Sequence, residues 1–167
     1  PVETSQTHEA LTVFTNEFSI VAEPQPTRFV EGEGWTGLSI CSVSGGCTGQ
    51  QDFLLENLRG GVSSAGSPSL EVLLAGRNEI FHNVEVYGGP NAGALRLLGN
   101  AGFVRFETPT LSFPLTWTDI GPDGRMTVRV KIVPSADRDV ISVSYIRLAM
   151  PQDYDAGLEN GKTFQLE

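Results

Sequence analysis

In MTVRVKIV, residues 126–133, apolar and polar side chains alternate from Met126 to Ile132: Val128, Val130 and Ile132 fall on one side, Arg129 and Lys131 on the other. A period of two belongs to an extended chain whose successive side chains point to opposite faces. One apolar face and one charged face mark a strand packed on a core on one side only, as in antiparallel sheets. The same rhythm recurs on both sides of this stretch. VISVSYIRL (140–148) places Ile141, Val143 and Tyr145 together. IFHNVEVY (80–87) groups Ile80, His82, Val84 and Val86 against Phe81, Asn83, Glu85 and Tyr87. LTVFTNEFSIVA (11–22) lines up Phe14, Phe18 and Ile20, with Asn16 as a polar intruder.

Further strand candidates are GLSICSV, DFLLENL, SLEVLLAG, ALRLLG, FVRFET and PLTWTDI; the segment GQQDFLLENLRGG also admits one or two helical turns. Nineteen glycines and ten prolines interrupt the chain too often for long helices. Loops such as YGGPNAG, GPDG and PSADRD join the candidates, and no longer period repeats. The expectation is an all-β fold, an antiparallel β-sandwich or jelly roll of about eight to ten strands.

With 167 residues, 40% hydrophobic and 19% charged, the chain suits one domain with a sizeable core. Residues 1–10 read as a polar N-terminal lead, 11–150 as the sandwich and 151–167 as a polar C-terminal tail. The formal charge is −9, and Lys131 and Lys162 are the lysines. Such a surface argues against nucleic-acid binding, which needs concentrated positive charge. It also disfavours anionic lipid, and no apolar run reaches membrane-spanning length.

CSVSGGC (41–47) holds both cysteines, Cys41 and Cys47, at a strand end and a Gly-rich turn. A disulfide across that turn is expected, with two free thiols as the alternative. Closing so short a loop contributes about 2 kcal/mol at most. Zinc needs four ligands, and His8 and His82 lack motif spacing to the cysteines. A disulfide implies an oxidising environment, hence an extracellular or virion-surface location. PVETSQTHEALTVF carries neither a basic start nor a long apolar run, and Pro1 fits a signal-peptidase junction poorly. A protein made in the cytoplasm and exposed on release would reconcile such a start with a disulfide.

Catalytic groups are scarce. A Ser-His-Asp or Cys-His unit needs a histidine base, and His8 lies in the polar lead while His82 sits mid-strand on an apolar-leaning face, as a core residue with its hydrogen bonds met. No G-x-S-x-G elbow, phosphate loop or dinucleotide fingerprint occurs. Glu85 and Glu107 are candidates for paired hydrolytic carboxylates, but outward acids are routine on half-exposed strands. An enzyme is not expected.

No cofactor is expected either. Calcium is the candidate metal, at two acidic turns: Asp137 and Asp139 in PSADRDV, and Asp153, Asp155 and Glu159 in PQDYDAGLEN. Neither matches a calcium-loop pattern, and ordinary solvated turns are the preferred reading. Three aromatics, Trp35, Tyr87 and Trp117, stand near loop edges where rings stack on sugars; for the tryptophans, full or partial core packing is the preferred reading.

From SLEVLLAG through FHNVEVYGG to RMTVRVKIV and DVISVSYIRL, roughly residues 70–148, the order of elements resembles the second half of a galactose-binding-like jelly roll. The closing I-x-V-x-Y-I-R-L strand carries that likeness. The resemblance implies a fold and, through it, a carbohydrate-binding role. No motif here matches that family's sugar-contacting residues.

Two functions follow as expectations. The first is a non-catalytic structural or attachment subunit of a surface assembly: a virion capsid or decoration protein, or a fibre or filament component. Copies of itself or other subunits would be its partners, clasped through the polar segments at both ends. The second is a carbohydrate-binding module with a surface glycan as partner, using Trp35, Tyr87 and Trp117.

Overall fold

The computed structural model describes residues 6–13, 17–18, 35–42, 47–133 and 138–153. Among them the chain forms β1 (Gln6–Val13), β2 (Glu17–Phe18), β3 (Trp35–Thr36), β4 (Ile40–Cys41), β5 (Gln50–Leu55), β6 (Ser69–Gly76), β7 (Phe81–Gly89), β8 (Arg96–Val104), β9 (Thr110–Pro114), β10 (Met126–Ile132) and β11 (Val140–Gln152). All paired strands are antiparallel. One sheet runs β1-β11-β6-β9, with β4 also on β11; the second runs β5-β10-β7-β8; β2 and β3 form a separate pair. The two main sheets hold nine strands, as the alternation predicts.

Alternation builds the core. Val128, Val130 and Ile132 of β10 are 0%, 0% and 2% exposed, which is the inward face read from MTVRVKIV. His82, Val84 and Val86 of β7 are likewise buried, and Phe53, Leu55, Leu70, Val72 and Leu74 complete the layer between the sheets. Each fully buried side chain of this size contributes roughly 1.5–3 kcal/mol by leaving water.

β11 departs from the expected register. Val143 opposes Leu74 and Tyr145 opposes Leu73, so Ser144 is an extra residue in the strand. A β-bulge of this kind resets which face the side chains take. Ile141 and Val143 point inward before it, and Ile146, Leu148 and Met150 after it. Tyr145, expected beside Ile141 and Val143, is therefore outside the core. Its hydroxyl donates to Glu71 Oε1 at 2.7 Å, beside Arg147 at 2.9 Å from the same oxygen.

Other readings shift for local reasons. ALRLLG and the start of FVRFET share the single strand β8, in which Gly99 leaves room for a ring of β9 in the facing sheet and Gly102 for a ring of its neighbour β7. A Cβ at Gly99 would lie 2.8 Å from Phe113 Cε1, and one at Gly102 2.5 Å from Phe81 Cζ. Arg105, at φ 55°, then turns the chain out of the strand. PLTWTDI contains a turn of 3-10 helix, Trp117–Asp119, because the Asp119 carboxylate takes the Thr116 N–H at 2.7 Å and so caps it. GQQDFLLENLRGG supplies a strand, β5, and no helical turn.

The sheet takes in parts of both segments read as polar ends. Residues 6–10 of β1 pair with residues 148–152 of β11, so pairing extends past 11–150 on both sides. Phe14, Asn16 and Ile20 lie outside the described residues. Cys41 and Cys47 are disulfide-bonded, with Cα atoms 5.8 Å apart, as the turn reading predicts. No helix among the described residues is long and apolar enough to cross a membrane.

Candidate functional site

The outer face of the second sheet gathers polar side chains that the sequence scatters. Register places Asp52, Arg129, Tyr87 and Leu97 side by side across β5, β10, β7 and β8. The next row holds Gln50, Lys131, Glu85 and Asn100. At about 4.8 Å between strands, each row spans roughly 14 Å. A bulge completes the first row: Val86 opposes Gly99 and Tyr87 opposes Leu97, so Leu98 is passed over and packs on the core while Leu97 stays 50% exposed.

These side chains bond to one another. Arg129 grips Asp52 with two hydrogen bonds, Nε to Oδ1 at 2.6 Å and Nη2 to Oδ2 at 2.7 Å. The Tyr87 hydroxyl donates to Glu85 Oε2 at 2.8 Å, and Lys131 Nζ donates to the same oxygen at 3.2 Å. Lys131 Nζ also stands 6.0 Å from the Tyr87 ring centroid, at the outer limit of a cation–π contact. The hydrogen bond from Tyr87, and then that from Lys131, holds the Glu85 carboxyl below the usual range. The same bond to Glu85 pushes the Tyr87 phenol up. The ring is thus anchored at its hydroxyl within a half-exposed charge network.

The other candidate residues lie elsewhere. Trp117 packs against the core, its ring over Gly61 and its Nε1 donating to the Gly66 carbonyl at 3.1 Å. Its ring is partly buried there. The backbone of Trp35 pairs with Phe18 in the β2–β3 ladder, and its side chain lies outside the described structure. Glu85 and Glu107 are far apart. Glu107 Oε2 accepts the Val104 N–H at 3.0 Å, and Val104 opposes Phe81, four residues from Glu85. That is about 13 Å along the strand, beyond the roughly 5–9.5 Å of hydrolytic carboxylate pairs.

Asp139, a calcium candidate, is 1% exposed and holds His82, itself 0% exposed. His82 Nδ1 lies 2.6 Å from Asp139 Oδ1, and Nε2 lies 2.6 Å from the Arg105 carbonyl oxygen. The Arg105 carbonyl and an ionised Asp139 are both acceptors, an arrangement that favours the doubly protonated imidazole. Burial works against that charge, but the Asp139 and Arg105 hydrogen bonds outweigh it and the His82 pKa is raised. This is the satisfied core histidine expected from its position, not a free base. Asp153 closes β11, its N–H donating to the Gly60 carbonyl at 2.9 Å. Asp137, Asp155 and Glu159 lie outside the described residues. Among the described residues no three His, Cys, Asp or Glu side chains are grouped to hold a metal.

Sequence reasoning singled out Tyr87 but not its neighbours Asp52, Arg129, Lys131 and Asn100. Their signal was present in part, since Arg129 and Lys131 occupy the outward positions of the alternating strand.

No protein-family model matches the chain, and no curated protein matches it. Solved structures do. Dimeric latent PorU from Porphyromonas gingivalis aligns over 93% of this chain at 13% identity with a TM-score of 0.59; this chain spans 14% of that one. The CBM36-1 domain of a multidomain xylanase from the hindgut metagenome of Trinervitermes trinervoides aligns over 84% of this chain and 96% of its own, at 10% identity and a TM-score of 0.47. A carbohydrate-binding module, CBM36, in complex with calcium and xylotriose aligns over 86% and 98%, at 11% identity and 0.45. At 13% identity the likeness to the PorU segment is one of fold alone, and the strand order itself is that of the β-sandwich expected from the alternation.

Proposed function

We propose that this protein is a non-catalytic glycan-binding module whose ligand face is the outer surface of β5-β10-β7-β8, centred on Tyr87. One observation carries the reading: Tyr87 is fixed by Glu85 between Arg129 and the exposed Leu97, beside a row of hydrogen-bonding side chains, Gln50, Lys131, Glu85 and Asn100, that crosses all four strands. A sugar presents apolar C–H faces and a rim of hydroxyls. An anchored aromatic ring answers the first, and a mixed field of donors and acceptors answers the second. Stacking and hydrogen bonding of this kind need no metal.

The disulfide supports work outside the cytoplasm, in an oxidising setting. The alternative of a self-assembling virion or filament subunit has no observation in its favour. Interface cores are depleted in charge, whereas this face carries four charged side chains.

Titration calorimetry against a panel of oligosaccharides, xylotriose included, tests the proposal. Binding is expected, with Tyr87→Ala weakening it at least tenfold while Tm stays within a few degrees. Absence of any glycan binding, or full binding by the folded Tyr87→Ala variant, would overturn it.

A further inference from the structure

We infer that this face selects uncharged sugars over acidic ones, an inference that rests on the glycan-binding reading above. Recognition of a carboxylated or sulfated sugar calls for a cation with free donors, ideally the planar fork of an arginine. Here both cations of the face are already neutralised. Two donors of Arg129, Nε and Nη2, are spent on Asp52. Lys131 donates to Glu85, whose Oε2 also takes the Tyr87 hydroxyl.

An arriving carboxylate that approaches either cation would therefore come to lie beside the acid already bound to it, Asp52 on Arg129 or Glu85 on Lys131. Like charges so placed repel, and wrong partners are rejected in this way. The overall charge of −9 adds repulsion at longer range. Arg96, next to Leu97 on β8, offers no relief, because Nε and Nη2 each hold a carboxylate oxygen of Asp119 at 2.7 Å.

A neutral hydroxyl meets no such obstacle. It can donate to the second oxygen of Glu85 and accept from a further N–H of Lys131, so Glu85 and Lys131 together suit two neighbouring hydroxyls of one sugar ring. The amides of Gln50 and Asn100 extend the same row. A charge-paired network thus serves as a field of strong donors and acceptors with no net charge to offer an anion.

The experiment compares xylotriose with a xylo-oligosaccharide carrying glucuronic acid, and a galactose trimer with a galacturonic acid trimer, on wild type, Asp52→Asn and Glu85→Gln. Wild type should bind the neutral members at least tenfold tighter. Asp52→Asn, which frees Arg129, should narrow that gap by gaining affinity for the acidic member, with a stronger salt dependence. Glu85→Gln, which frees Lys131, should do the same if Asp52→Asn fails to fold. Equal or tighter binding of the acidic sugars by wild type would overturn the inference and leave the glycan-binding role standing. Binding of neither class would overturn both.

Discussion

Replacing Asp139 with asparagine tests the buried pair on which one end of the sandwich depends. His82 and Asp139 are 0% and 1% exposed, and the two ring nitrogens of His82 lie 2.6 Å from Asp139 Oδ1 and from the Arg105 carbonyl oxygen, an arrangement suited to the imidazolium form. Asp139→Asn leaves the shape nearly unchanged but strands an imidazolium without its counter-charge. Removing one partner of a buried ion pair costs about 3–5 kcal/mol. For a chain of this size each kcal/mol moves Tm by about 2–4 °C, so the expected fall is roughly 6–20 °C at pH 5.5. Differential scanning calorimetry reads it directly. The pH dependence supplies a second check. The His82 pKa is raised above its ordinary 6.5, so its contribution is fully present below that value and fades as pH rises through the folded-state pKa. Wild-type stability should decline on that alkaline side, and His82→Gln should remove that part of the slope. A change of less than about 2 °C for Asp139→Asn would refute the claim that a charged pair sits there.

Three other outcomes are expected. Leu74→Ala, at a fully buried position of β6, should cost about 2–5 kcal/mol in chemical denaturation without a change in the far-ultraviolet dichroism of the native state. Reducing Cys41–Cys47 should lower stability by about 2 kcal/mol and leave the sheets intact, since the bond closes a short loop; loss of strand dichroism on reduction would contradict this. Burial raises the Asp119 pKa, but the bonds from Arg96 and Thr116 prevail and hold it below 3.8, so its contribution is present above that value and lost as pH falls through the folded-state pKa. Asp119→Asn should flatten the acid limb of the Tm profile.

The strands were legible because period-two alternation is local. SLEVLLAG is β6 from Ser69 to Gly76, and the inward set of MTVRVKIV is the inward set of β10. The misreadings have equally local causes that alternation does not reveal. Ser144 slips into β11 and turns Tyr145 outward, and glycines that read as breaks in β8 are seats for Phe81 and Phe113. Trp117 is partly buried against the core, in line with the preferred reading of the tryptophans, while Tyr87 stands on the outer face.

From the sequence alone came the fold class, the inward faces of the strands, the small disulfide loop and the scarcity of catalytic groups. Each depends on neighbours within a few residues or on composition. The proposed ligand face was decided by tertiary structure. Asp52 and Arg129 are 77 residues apart in the chain, and Glu85 and Lys131 are 46 apart. Strand order and register bring such pairs together, and a slip of one residue would turn either partner into the core.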